Sequence, residues 1–594
     1  MQEHWAKLGE PSKTERKEET KSKAEQTVGH VSRRDFLKKA VPVIAGVGLV
    51  GALGIDPGFA SQSSPAAAPP TPGIQLSTAS YVIYYQNIFY AQNGTTGKID
   101  YSGTDASTVI QAAIEALKDG GLLVLRRGIY NLANGLRVSQ GIHLLGEQGA
   151  VLRVGDGSQT LSNPFNILEV VGDNVTIENV ELDGNTSSND NLAGTTPEPG
   201  PANPDIQSGI VVRSGKNVEV VNCYIHDTWN AGIWLAASDG DVIGSEIASC
   251  QIERTGRSFT DPLSTNPPQS ASAIYVFRLQ WLTSGSNIHD NTITDTFGRG
   301  IYLHFDQDSM ISNNILTKTP EPLEEISGIV IDDGTKRIVI RGNNISGYGP
   351  GLMIVWGGCE DIIVEANGFF DAPNSGGSGS GILVYTSTAF GPPLRSLIIK
   401  GNICKGNALP GISVSASETI IEGNICYNNN MSCGVSPTRR AGILVQTGES
   451  SMISNVSIIG NRCFDDQSAP TQNYGVSISQ TPNLITHILV SNNDLRGNGA
   501  GGIGELDCSQ CRVTGNLGYN PQGLAPIVVG DSPFTYTNRD AVPEAVYITG
   551  GTVSEISKDG TPVFTSTPAT VWLEPDETVT ITHMEPPQML KDRR

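Results

Sequence analysis

Hydrophobic positions along the chain follow two periods. Between Asp105 and Gly120, Ile110, Ala113, Ile114 and Leu117 recur at intervals of three and four, the spacing of a single helix face. Asp105 is placed to cap the start and Gly120-Gly121 to stop it, so a helix is predicted over 105–117. From residue 122 the period drops to two, in short apolar runs punctuated by Gly and Asn, which reads as strands. One recurring signature, Gly-apolar-X-apolar, begins at Gly209 and Gly232, has Ala273 in place of Gly, and continues from Gly300, Gly328 and Gly351 to Gly475. A second, Asn-X-apolar, falls at Asn291, Asn313, Asn343, Asn367, Asn402, Asn424, Asn461 and Asn493.

Successive Gly positions lie 23 to 41 residues apart, the period of a solenoid coil with loops where the gap widens. No stretch between 122 and 517 has the helical pattern that a βαβ fold requires. A coil of three short strands suits an all-β, right-handed parallel β-helix solenoid, the predicted helix stands at its N-terminal end, and the strands beyond 517 are similar to a small C-terminal β-sandwich module. Alternation then sends Ile301 and Leu303 into the core, with Ile329 and Ile331 one coil away at about 4.8 Å. The Asn residues sit at turns where side-chain amides stack between coils. Cys404, Cys426 and Cys463 read as small core residues; Cys508 and Cys511 form a lone C-x-x-C. His226-Asp227 and His289-Asp290 occupy equivalent turns and read as structural.

The 594 residues carry a net charge of −21, with 38% hydrophobic and 17% charged residues. That composition argues against global disorder, and the acidity leaves no broad basic face for nucleic acid. Before the repeats, Ser32-Arg33-Arg34-Asp35-Phe36-Leu37-Lys38-Lys39 precedes an apolar run, Ala40 to Ile55, and then Gly58-Phe59-Ala60. This order resembles the twin-arginine export signal of bacteria. The resemblance implies handling by the twin-arginine machinery and an extracellular, cell-surface or periplasmic location, with membrane anchorage if the segment is retained. The domain reading is 1–60 signal segment, 61–97 linker and lead-in strand, 98–517 β-helix and 518–594 C-terminal module. The last would cap the core, form homo-oligomers or touch carbohydrate.

Residues 98–154, from Lys98-Ile99-Asp100 through the helix to Val151-Leu152-Arg153-Val154, resemble the opening of pectate-lyase-superfamily β-helices. That superfamily holds polysaccharide lyases, glycoside hydrolases, uronate epimerases and tailspike-like proteins, so the resemblance implies a fold and a polysaccharide or oligosaccharide partner rather than one reaction.

Placing the Gly-apolar-X-apolar strands in register brings out the residues that face outward. Arg213, Trp234, Tyr275, Tyr302, His304, Asp332 and Tyr385 lie on this ladder, with Arg278, Asp306, Asp333 and Trp356 beside it. Aromatic rings suit the apolar faces of pyranoses, and carboxylates and His handle protons. Segments 185–208, 253–272 and 317–327, the last with Glu324 and Glu325, are expected to wall the groove. In a glycoside hydrolase, the leading reading, Asp306 and Asp332 would form an inverting pair about 8 Å apart, with Asp333 and His304 tuning it and no metal or cofactor needed. Asp332-Asp333 resembles the paired aspartates of polygalacturonase-type hydrolases, whose Gly-His-Gly has no counterpart here. A lyase or epimerase would use Arg278 as base, with calcium on the carboxylates. A non-catalytic glycan-binding or structural β-helix needs only the fold and the rings.

Overall fold

The helix is α1 (Ala106–Ala116), and the Asp105 carboxylate accepts the backbone N–H groups of Ser107 and Thr108. Its buried face, Ile110, Ala113 and Ile114, joins the same apolar cluster as Leu123, Tyr130 and Leu136 of the first coils. In this computed structural model the described residues run from 79 to 593, except 161–162, 190–206, 258–271, 279, 320–325, 375–377, 388–390, 433–435, 448–451, 480–483, 520–523 and 541. The export segment, the linker, Glu324, Glu325 and most of the three wall segments lie outside the described residues. Among the described residues, no helix is long and apolar enough to cross a membrane.

Beyond α1 the chain is a right-handed parallel β-helix, with long sheets of 17, 15 and 12 strands among the described residues. The sheet that carries the repeats includes β1 (Ile210–Lys216), β2 (Ile233–Leu235), β3 (Ser272–Phe277), β4 (Arg299–His304), β5 (Ile329–Asp332), β6 (Leu352–Trp356) and β7 (Ile382–Thr386). Neighbours are parallel: Ile301 lies opposite Ile329, and Ile329 opposite Leu352, all fully buried. The repeat needs glycine because the next coil comes so close. A Cβ at Gly300 would stand 2.5 Å from the carbonyl oxygen of Gly328, and one at Gly328 would stand 2.6 Å from that of Gly351.

Asparagine side chains tie the coils together along one edge. The amide of Asn291 donates to Oδ1 of Asn314, that of Asn314 to Asn343, and the chain continues through Asn367, Asn402, Asn424, Asn461 and Asn493 to Asn516. The member on its coil is therefore Asn314, not Asn313. Leu316 is the buried residue of that strand while Ile315 is 48% exposed, so the repeat counts back from Leu316. Cys404, Cys426 and Cys463 stand in register on successive coils, fully buried, and Cys508 and Cys511 form a disulfide. After the solenoid, two four-stranded antiparallel sheets enclose a separate core that includes Val546, Ile548, Val571, Val579 and Ile581.

Candidate active site

The outward residues of β2 to β4 form a closed stack rather than the open groove of rings expected from the ladder. Trp234, Tyr275 and Tyr302 lie outside the apolar core cluster, yet they are 0%, 0% and 1% exposed. Their rings pack on one another, Trp234 on Tyr275 at 5.4 Å and Tyr275 on Tyr302 at 5.1 Å. Trp356 is buried too, and Tyr385 half-buried. As sugar platforms Trp234, Tyr275 and Tyr302 are corrected, because flat aromatic faces on adjacent coils satisfy each other, and Trp356 is corrected by its burial. Arg213 is held by Glu169 at 2.8 Å, on a strand three coils before β4.

At the end of this stack the chemistry concentrates. His304 and Asp332 face each other across β4 and β5, and Asp333 comes next in the turn. His304 Nε2 donates to Asp333 Oδ2 at 3.0 Å. Tyr302 donates its hydroxyl to Asp332 Oδ2 at 2.5 Å, and Asp333 donates its backbone N–H to Asp332 Oδ1 at 2.8 Å. All four side chains are buried, and His304 Nδ1 has no hydrogen-bond partner among the described residues. Burial, with the adjacent Asp332 charge, holds the Tyr302 phenol well above its usual pKa, so it stays protonated.

Asp306 does not belong to this group. Phe305 takes a left-handed backbone (φ 56°) at the corner between two sheets, which resets the in–out alternation, so Asp306 turns inward instead of standing beside Asp332. It is fully buried, level with Thr283 and Thr335, and burial pushes its carboxyl up to about 6 against the smaller lowering effect of the Ser309 and Thr283 hydroxyls. Neither hydroxyl makes a hydrogen bond of normal geometry to it. The proposed Asp306–Asp332 catalytic pair is therefore corrected, because the two carboxylates lie on opposite sides of the coil wall.

Two residues outside the repeat signature complete the site. The Arg299 guanidinium lies 4.9 Å over the Tyr302 ring, and Phe305, 44% exposed, stacks on His304 at 4.4 Å. Both fall outside the Gly-apolar-X-apolar window, so register alone does not pick them out. Arg278 is exposed, and its backbone N–H reaches the His304 carbonyl at 3.5 Å.

Donor atoms of His304, Asp332 and Asp333 all lie within 4.8 Å of one another, as do those of Asp183, His226 and Asp227. Calcium takes six to eight oxygens. Two carboxylates already engaged with Tyr302 and His304, plus one imidazole, do not fit it. At the other cluster, His226 gives Nδ1 to Asp227 at 2.7 Å and Nε2 to Glu181 at 3.3 Å, an arrangement for a protonated ring rather than for a ligand.

A family model described as right handed beta helix region matches residues 130–316, 279–369 and 374–540. Among solved structures, the A-module of the Azotobacter vinelandii mannuronan C-5 epimerase AlgE6 is 16% identical, covering 70% of this chain and 96% of its own, with a TM-score of 0.38. The Dettilon tailspike protein is 14% identical over 84% of this chain and 92% of its own, with a TM-score of 0.49. A tailspike of E. coli bacteriophage HK620 in complex with a hexasaccharide is 12% identical, covering 84% and 91%, with a TM-score of 0.42. No curated protein matches the sequence.

Proposed function

The chain belongs to the right-handed β-helix family, and from that premise we propose that it acts on a uronate-bearing polysaccharide by proton abstraction, with His304 as general base. One observation carries this reading: His304 Nε2 is bound to Asp333 while Nδ1 is left without a partner among the described residues. A carboxylate on one ring nitrogen fixes the tautomer and leaves the lone pair on the other. Both carboxylates are engaged, Asp332 by Tyr302 and Asp333 by His304, so the acceptor without a partner among the described residues is the buried Nδ1 of His304.

The proton beside a sugar carboxylate is acidic enough for such a base only when the carboxylate charge is offset. Arg278, exposed next to His304, supplies the cation, and Phe305 offers a ring face at the same edge. Tyr302, kept as a buried phenol, donates to Asp332 and fixes that carboxylate beside His304. Elimination and epimerisation share the abstraction and part at the second step, where the carbanion either expels the leaving oxygen or is reprotonated.

Hydrolysis is the second reading, favoured by the adjacent carboxylates of Asp332 and Asp333. Their oxygens lie within 4.8 Å, closer than the roughly 6.5–9.5 Å that an inverting hydrolase needs for its water, so a hydrolase built here would be retaining. A panel of neutral and uronate polysaccharides, incubated in D2O, separates the outcomes. Ultraviolet absorbance from an unsaturated product marks elimination, and deuterium uptake without cleavage marks epimerisation. Reducing ends without unsaturation would replace this reading with hydrolysis. No change in any polymer would leave glycan binding or a structural role.

A further inference from the structure

The solenoid core is apolar along nearly all its length, but at one corner two neighbouring inward files turn polar on the same coils. In the first file Thr283 and Asp306 stand where later coils carry Cys359 and Leu394. In the second, Ser245, Ser286 and Ser309 stand level where later coils carry Ile338 and Ile362. All five residues are 3% exposed or less. Within the second file Ser286 donates its backbone N–H to Ser309 Oγ at 2.9 Å, and the files meet at Asp306, whose carboxylate lies near the Ser309 and Thr283 hydroxyls and the Gln307 N–H.

The polar atoms of this corner are not used up by one another. Both carboxylate oxygens of Asp306 and the hydroxyls of Thr283, Ser286 and Ser245 have no hydrogen-bond partner among the described residues. The backbone of Asp306 is satisfied, its N–H by Thr335 Oγ1 and its carbonyl by the Lys336 N–H, so it is the side chain alone that is orphaned. Leaving a carboxylate buried without a donor or counter-charge is among the costliest arrangements a core can hold. The carboxylate of Asp306 and the open hydroxyls of Thr283 and Ser286 thus gather oxygen donors at one buried corner on neighbouring coils.

We infer that Asp306 and Ser309 on one coil, with Thr283 and Ser286 on the coil before it, form an internal binding site for one monovalent alkali cation, held by oxygen ligands inside the β-helix. The charge balance selects the valence. A single carboxylate with neutral hydroxyls cancels one positive charge, whereas a divalent ion would leave one uncompensated in the apolar core. Soft metals prefer sulfur or nitrogen, and this lining has neither. The site is separate from the His304 cluster and independent of the reaction proposed there.

The test uses the full-length protein in choline chloride, sodium chloride or potassium chloride at equal ionic strength. An ion that binds the folded chain raises the melting temperature with its concentration. For a chain of this size, each tenfold rise in sodium or potassium should add about 1–2 °C, with choline flat. Asp306→Asn should remove the response. Thr283→Val gives a second variant that keeps the carboxylate, and it should weaken the response. Elemental analysis after gel filtration into choline chloride should find close to one sodium or potassium per wild-type chain. Identical melting in the three salts, no retained alkali metal, or an undiminished response in Asp306→Asn would each overturn the inference in favour of a protonated carboxyl solvated by water.

Discussion

His304 is the residue on which the proposed chemistry turns. If it is the base, His304→Asn should lower kcat by about 10²- to 10⁴-fold, the usual worth of a general base, while the melting temperature changes little. Asp333→Asn keeps the ring in place but withdraws the charge, so it should lower kcat less. Equal losses from both variants with a large drop in melting temperature would mark the pair as structural. The juxtaposition of His304, Asp332 and Asp333 was legible in the sequence, because strand register alone stacks them. The inward turn of Asp306 was not, since it depends on Phe305 adopting a left-handed backbone, which no alternation rule carries across. Nor was the burial of Trp234, Tyr275 and Tyr302, since facing away from a core does not mean facing water.

Elements are joined by two devices that answer to different perturbations. In the asparagine ladder, Oδ1 of Asn402 accepts both the backbone N–H and the side-chain amide of Asn367, while its own Nδ2 donates to Val364 and Asn424. Asn402→Leu orphans donors above and an acceptor below, and should cost about 2–4 kcal/mol in urea unfolding, at about 1–3 kcal/mol per buried unsatisfied group. The rhythm of this ladder could be read in advance, but at Asn313-Asn314 only the exposure of Ile315 identifies the partner. The second device is a histidine clamped between coils. His226 lies between Asp227 and Glu181, and His289 between Asp290 and Glu246 at 2.7 and 3.0 Å. Burial pulls both pKa values down, but the carboxylates outweigh it and the net shift is upward. With the folded pKa above the unfolded value of about 6.5, this stabilisation is complete below that pH and fades as pH rises through the folded pKa. Melting temperature should therefore fall on going from pH 6 to alkaline pH, and the double variant His226→Gln with His289→Gln should flatten that slope. A slope unchanged in the double variant would exclude the clamps as its source.

At the scale of the whole molecule, the repeats made the architecture readable while leaving the chemistry to a single corner. Most coils from Gly300 onward reuse the same glycine approach and the same asparagine edge, so one pattern recurs often enough to be recognised. A reactive group occurs once and leaves no period. The coil-to-coil bonds have a further, mechanical consequence, because they all run along the solenoid axis. Tension applied between the two ends along that axis loads the bonds of one coil at a time, as in a zipper, instead of shearing many together. Most coils span 23–33 residues, and a freed chain extends by roughly 3.3–3.6 Å per residue, so each rupture should lengthen the tether by about 80–115 Å. Single-molecule extension should therefore draw a staircase of small, similar steps, with one longer step where 41 residues separate Gly232 from Ala273. A single cooperative rip over the full contour would mean that the coils share load sideways, and the molecule would then behave as a rod rather than a spring that pays out coil by coil.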